Sequence, residues 1–192
     1  MRKEMLLTVG LVAALLVACG GSTSLTSPSP TPTPGNGGST STPTATPGGG
    51  GPTPTPGPID PCTLFTQQQA STLAGSALAA GVSGSAAAVR TCDFIGGHVV
   101  VGLGLVQAAD AATAQQFKSE AEAAVLPHAS SHETLPTFSD GADIIRVAGA
   151  GTTISSMYVV DGTNFFSIGC TNASPSDNAL KFAATLILGA LP

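Results

Sequence analysis

The chain has 192 residues, of which 42% are hydrophobic and 9% charged, and its formal net charge is −5. Its six basic side chains form no cluster, so it lacks the electrostatic footprint of a nucleic-acid-binding surface. With one tyrosine and no tryptophan, it also offers no aromatic platform for stacking a sugar ring.

Arg2 and Lys3 open the chain, and Met5 to Ala18 then run almost wholly apolar. That run is about 14 residues, short of the ~18–20 that cross a bilayer as a helix. A basic start, a short apolar core and small residues at its end describe a secretory signal rather than a membrane span. The run ends in Leu16-Val17-Ala18-Cys19, which resembles the lipobox of bacterial lipoproteins. The resemblance implies a signal peptide over 1–18, lipidation of Cys19 and attachment to the extracytoplasmic face of the cell membrane. Each buried methylene contributes about 0.8 kcal/mol, and two or more acyl chains hold where one would not.

Beyond Cys19, from Ser27 on, comes "SPSPTPTPGNGGSTSTPTATPGGGGPTPTPGP", in which Ala45 is the one apolar residue besides proline and glycine. Nothing there can be buried to offset the entropy of ordering the chain. Residues 19–58 therefore read as a lipidated cysteine and a disordered tether, reaching about 120 Å if extended and about 35 Å as a coil. Its threonine and proline content also suits O-glycosylation. Residues 59–192 are long enough for one globular domain with its own core. Beyond Cys19 the chain carries four basic and ten acidic side chains, a net charge of −6.

With Cys19 lipidated, Cys62, Cys92 and Cys170 remain, and an oxidising compartment favours a disulfide. Counting leaves the pairing open. Position favours Cys62–Cys92, because Cys62 precedes the first helix and Cys92 opens the first strand-like run. Closing a loop of about 30 residues stabilises by ~3–4 kcal/mol in the entropy model. Cys170 then reads as a buried, inert thiol.

The elements follow in order. Thr66 to Gln69 forms a capping box, with Ala70, Leu73 and Ala74 on one face of the helix and Gly75 as its stop. "GSALAAGVSGSAAAVR" shows no period and reads as a loop. "HVVVGLGLV" alternates as a strand, with Val99, Val101, Leu103 and Leu105 on one face. Gly102 and Gly104 on the other leave room for a closely packed helix. A second helix starts at Asp110, buries Ala114, Phe117, Ala121, Ala124 and Val125, turns Gln115, Lys118 and Glu122 outward, and ends at Pro127. "GADIIRVA", "TTISSMYVV" and "NFFSIGC" are strands, the last two joined by a hairpin at Asp161-Gly162. Ser174 caps a last helix with Pro175 at its first position, and Leu180, Ala183, Ala184, Ile187, Leu188 and Leu191 form its apolar stripe. This order predicts an α+β domain with a mostly antiparallel sheet packed by helices.

"DPCTLFTQQQASTLAG", "RTCDF", "LPTFSDGADIIRV", "MYVVDGTNFFSIGC" and "SPSDNALKFAATLILGAL" together resemble a group of small lipoproteins best known from actinobacteria, of no assigned activity. That group opens on Pro-Cys-x-Leu-Leu-Thr and carries Cys-x-Trp on the following strand. Here Phe65 replaces a leucine and Phe94 the tryptophan, both keeping a large apolar group. The resemblance implies the Cys62–Cys92 bridge and a fold like that of the photosystem oxygen-evolving subunit, with no catalytic residue to carry over.

The residues themselves suggest little chemistry. No Gly-x-Ser-x-Gly elbow occurs. His128, His132 and Glu133 in "PHASSHE" would meet on a helix and could ligate a metal, but Pro127 and the serines favour a solvated loop. Asp140 and Asp143 in "SDGAD" supply too few oxygens for calcium and read as a turn around Gly141. Phe165 and Phe166 read as one core and one partly covered residue. The expectation is a non-catalytic binding or interaction module with no metal or cofactor. Its partner would be a small apolar ligand near Gly102, Gly104 and residues 76–88, or an envelope protein. The alternative is an envelope hydrolase with dispersed residues, marked by His98 or His128 beside a serine in a polar cavity.

Overall fold

The computed structural model describes Gly57–Pro192; the signal, Cys19 and nearly all of the tether lie outside the described residues. Two short helices come first, α1 (Pro61–Leu64) and α2 (Gln67–Ala74), then strands β1 (Val82–Ala86), β2 (Val89–Gly96) and β3 (Val99–Gln107). Helix α3 (Ala111–Val125) leads through a 3-10 turn to β4 (Ser131–Leu135), β5 (Ala142–Gly149), β6 (Thr152–Asp161) and β7 (Asn164–Thr171), and α4 (Asp177–Ala190) closes the chain. The strands make one seven-stranded antiparallel sheet in the order β1-β2-β3-β7-β6-β5-β4, an α+β architecture as the element order predicts.

Register decides which side chains share a face. Val101 pairs with Cys170, Leu103 with Ile168 and Leu105 with Phe166, so these six point to one side. Met157 and Val159 on β6 and Ala142 and Ile144 on β5 continue that face. Helices α1, α2 and α4 cover it, and Leu180, Ala183, Ala184 and Ile187 of the predicted stripe are buried there. The opposite face carries Val106, Ile145, Tyr158, Val160 and Phe165 under α3, with Phe117, Ala121 and Val125 packed on them. Phe165 and Phe166 are both buried, one in each layer, where the sequence suggested that one would stay partly covered.

Several local expectations hold. Thr66 and Gln69 form the reciprocal capping box, and Gly75 ends α2 at φ 68°. Asp110 caps α3 through the Thr113 N–H at 2.7 Å. Two residues, Gly162 and Thr163, link Asp161 to Asn164 across the β6–β7 hairpin, with Gly162 at φ 55°. The structure also contains the Cys62–Cys92 disulfide, with its Cα atoms 5.1 Å apart. The chain passes so closely over that bridge that a Cβ at Gly81 would lie 2.5 Å from the Cys92 sulfur.

Three readings are corrected. The segment read as a loop over 75–90 contains β1 and the start of β2. All five β1 residues are exposed, so backbone pairing to β2 and the Ser83 hydroxyl on Asp60 hold it and no apolar alternation marks it. The last helix is capped by Ser176, which accepts from the Ala179 N–H at 3.2 Å, not by Ser174. Pro175 stays outside the helix because it is buried and its carbonyl accepts from Arg146 at 2.9 Å. Finally, no helix fills the space over Gly102 and Gly104. A Cβ at Gly102 would sit 3.0 Å from Asp93 Oδ1, and one at Gly104 would sit 3.2 Å from Ser167 Oγ.

The β1–β2 turn places Ala87 at φ 52°, a left-handed conformation that costs an L-residue about 1–2 kcal/mol. Ala87→Gly is therefore expected to raise unfolding stability by about 1 kcal/mol at an unchanged denaturant slope, read from urea unfolding of the domain.

Candidate functional site

Of the residues singled out for chemistry, His132 and Asp143 come together and the others are dispersed. His98 lies in the β2–β3 turn, where its carbonyl accepts from Asn172 at 2.8 Å. His128 is exposed at the end of the 3-10 turn. His132 and Glu133 are neighbours on strand β4, not on a loop, and therefore point to opposite faces. Glu133 pairs with Lys181 of α4 at 3.0 Å, whereas His132 reaches Asp143 at 2.6 Å. Asp140 does form the predicted turn, accepting from the Gly162 N–H at 2.7 Å, with Gly141 at φ 119°. Asp143 does not belong to that turn; it is a buried residue of β5.

Asp143 is the centre of a polar cluster under α3. Its carboxylate accepts from Lys118 Nζ, from Thr134 Oγ1 at 2.8 Å and from the His132 ring. Lys118 also lies 2.8 Å from Glu122 one turn on, but off the hydrogen-bonding direction, so Glu122 Oε1 is buried without a hydrogen bond. The side chains of Lys118 and Glu122 are only 11% and 14% exposed. The outward placement read from the sequence is thus overturned. Both fall at i+4 and i+8 from Ala114, inside the stripe that faces the sheet.

Burial and pairing act in opposite directions across this cluster. Burial raises the Asp143 carboxyl, but the Lys118, His132 and Thr134 hydrogen bonds outweigh it and hold it below the usual range. Burial alone would lower Lys118; its two acidic neighbours keep it raised. Glu122 is pushed up chiefly by burial, with the Asp143 charge adding to it and Lys118 offsetting only part. Two carboxylates share one ammonium, and the one hydroxyl bonded into the set, that of Thr134, donates to Asp143. The arrangement pins α3 to β4 and β5.

A second feature lies on the opposite layer. Between α2 and α4 runs a groove of about 330 Å³ lined by Phe65, Gln68, Gln69, Thr72, Leu73, Ala179, Phe182, Ala183 and Leu186. Phe65 and Leu73 form its buried floor, while Phe182 stands at its edge with 63% of its surface exposed. None of the nine side chains is charged. The α2 wall offers amides and a hydroxyl, and the α4 wall offers hydrocarbon. The sequence did carry this signal: Asp177 and Lys181 are the only charged residues among the fourteen of α4, which is apolar beyond the stripe the sheet requires.

Cys170 is buried on β7, and burial pushes its thiol up to about 12. Among the described residues no three metal-ligating side chains converge, and no helix is long and apolar enough to cross a membrane.

No family model matches the sequence, and no curated protein matches it. Among solved structures the chain is similar to the extracellular domain of PknH from Mycobacterium tuberculosis, at 12% identity and a TM-score of 0.47. The match covers 66% of this chain and 92% of that one. At that level of likeness nothing about ligand or activity passes from one to the other.

Glu122 has a raised folded-state pKa, so its ionised form opposes folding above that pKa and the penalty fades as pH falls through it. Asp143 is the reverse: its contribution is present above the ordinary carboxylate pKa and is lost as pH falls through the depressed folded value. Glu122→Gln is therefore expected to stabilise the domain at neutral pH, by an amount that shrinks towards pH 4. Lys118→Met, which strands two buried acids, is expected to cost about 3 kcal/mol at neutral pH. Urea midpoints across pH check both.

Proposed function

We propose that this chain is an extracytoplasmic lipoprotein, anchored through Cys19, whose domain is a non-catalytic binding module taking a neutral apolar ligand in the α2–α4 groove. The exposed Phe182 beside an uncharged groove carries the reading. A large aromatic ring left in water at the mouth of an apolar concavity is the usual mark of a surface that gains by being covered. The groove has no titratable lining, which suits binding and gives hydrolysis no acid or base to activate a nucleophile. Its ligand class is set by the same list: a hydrocarbon or ring body against Phe182 and Leu186, with a carbonyl or hydroxyl for Gln68, Gln69 or Thr72.

The Cys62–Cys92 bridge supports the location, because structural disulfides persist in oxidising compartments. The lipobox-like "LVAC" and the Pro/Thr/Gly-rich stretch behind it support the anchor and the tether. Membership of the actinobacterial-type lipoprotein group belongs to the same reading.

A neutral solvatochromic dye such as Nile red is expected to bind the purified domain, with its emission shifted to the blue. Phe182→Ser and the groove-filling Ala179→Leu should each weaken that binding at least tenfold. Equal dye binding by both variants would overturn the groove as the site. In cells, globomycin-type inhibition of lipoprotein signal peptidase should accumulate an unprocessed precursor, and Cys19→Ser should abolish acyl labelling; normal maturation without label would reject the anchor.

A further inference from the structure

Away from the groove, a second concavity of about 330 Å³ is lined by Asp60, Pro61, Ser83, Gly84, Ser85 and Arg90. The domain has four lysine and arginine side chains, and three have acidic partners: Lys118 with Asp143 and Glu122, Arg146 with Asp177, and Lys181 with Glu133. Arg90 has none among the described residues. Yet it lines the same cleft as a carboxylate, and the two do not close on each other. Asp60 instead accepts from the Ser83 hydroxyl, at 3.0 Å and 3.2 Å from its two oxygens, and from the Cys62 N–H at 3.0 Å.

The fold holds these opposite charges apart. Asp60 stands two residues before Cys62, and Arg90 two residues before Cys92 on the same face of β2. The disulfide between those cysteines ties the two walls to a fixed spacing. The cleft between them is floored by Ser83, Gly84 and Ser85, small side chains that leave room for a guest. A guanidinium without a partner is a two-pronged donor suited to a carboxylate. A carboxylate facing it across a gap suits an ammonium.

We propose that this cleft binds a small zwitterion, an α-amino acid or short peptide with both ends free, with its carboxylate on Arg90 and its ammonium on Asp60. The site is separate from the α2–α4 groove and stands or falls independently of it.

The test is an amide NMR titration of the ¹⁵N-labelled domain with L-alanyl-L-alanine, alongside its N-acetylated and C-amidated forms. The free dipeptide should bind in the millimolar range or tighter, shifting the amides of Ser83–Ser85 and Arg90. Each blocked form should bind at least tenfold more weakly, because each removes one charge. Arg90→Gln and Asp60→Asn should each weaken the free dipeptide to a similar degree, with Arg90→Lys recovering part of the loss. Asparagine caps a helix as well as aspartate does, so Asp60→Asn keeps α1, and the dispersion of the same spectra reports folding. Absence of shifts, equal binding of the blocked forms, or full binding by well-folded Arg90→Gln would each overturn the proposal. None of these outcomes touches the Nile red result at Phe182.

Discussion

The central strands of this sheet bury apolar side chains on both faces, and that constraint arranges everything else. On β7 the adjacent Phe165 and Phe166 point to opposite faces, and each needs a helical layer. A shift of one residue in the β3–β7 pairing would exchange the two sets wholesale, so the register is tightly specified. The face carrying Phe166 receives α1, α2 and the strongly apolar α4. The face carrying Phe165 receives α3, whose inward stripe mixes Ala114 and Ala121 with Phe117 and Val125. The same stripe includes position 118, from which the Lys118 side chain reaches Asp143 on β5. The buried Lys118–Asp143 contact follows from how α3 must sit, and the third charge, Glu122, comes with it. Such a cluster adds little net stability, yet removing one partner is costly, so it fixes position more than it strengthens the fold.

Elements with a strong local signal were legible in the sequence, and those held by long-range pairing were not. The capping box at Thr66, the Asp110 cap, the α4 stripe and the β6–β7 turn each carry their cause within a few residues. Strand β1 does not. Its turn uses Ala87 where glycine or asparagine would announce a positive φ, and no β1 side chain is buried, so neither period nor punctuation shows. The Ser176 cap was ambiguous for another reason. Ser174-Pro175-Ser176 offers two plausible starts, and the Arg146 bond to the Pro175 carbonyl, from twenty-nine residues away, decides between them. Charge suggests an outer face for Lys118 and Glu122, but helical spacing from Ala114 puts both inside.

The candidate sites were less legible than the fold. The histidines drew attention because their chemistry is versatile, but β4 turns His132 and Glu133 to opposite faces and the cluster dissolves. The groove is made of glutamine, threonine, alanine, leucine and phenylalanine, residue types that carry no motif. It exists only because α2 and α4, more than one hundred residues apart in sequence, lie side by side on one face of the sheet. What the sequence did contain was an excess: α4 has more hydrocarbon than one buried stripe can use, and Phe182 is the part left over.

The odd cysteine, Cys170, bears on the survival of the bridge. Thiol–disulfide exchange requires a thiolate, so a free cysteine near a structural disulfide endangers it only if it ionises and can reach the sulfur. Cys170 shares the face of the sheet that carries Cys92, with β3 lying between their strands. Burial pushes its thiol up to about 12, against which the opposing influence of Arg146 is minor. At neutral pH almost none of it is thiolate, and the residue has no exposed surface. The same packing that encloses α4 against the sheet therefore keeps the Cys62–Cys92 pairing from scrambling, and with it the spacing between Asp60 and Arg90 that the bridge sets.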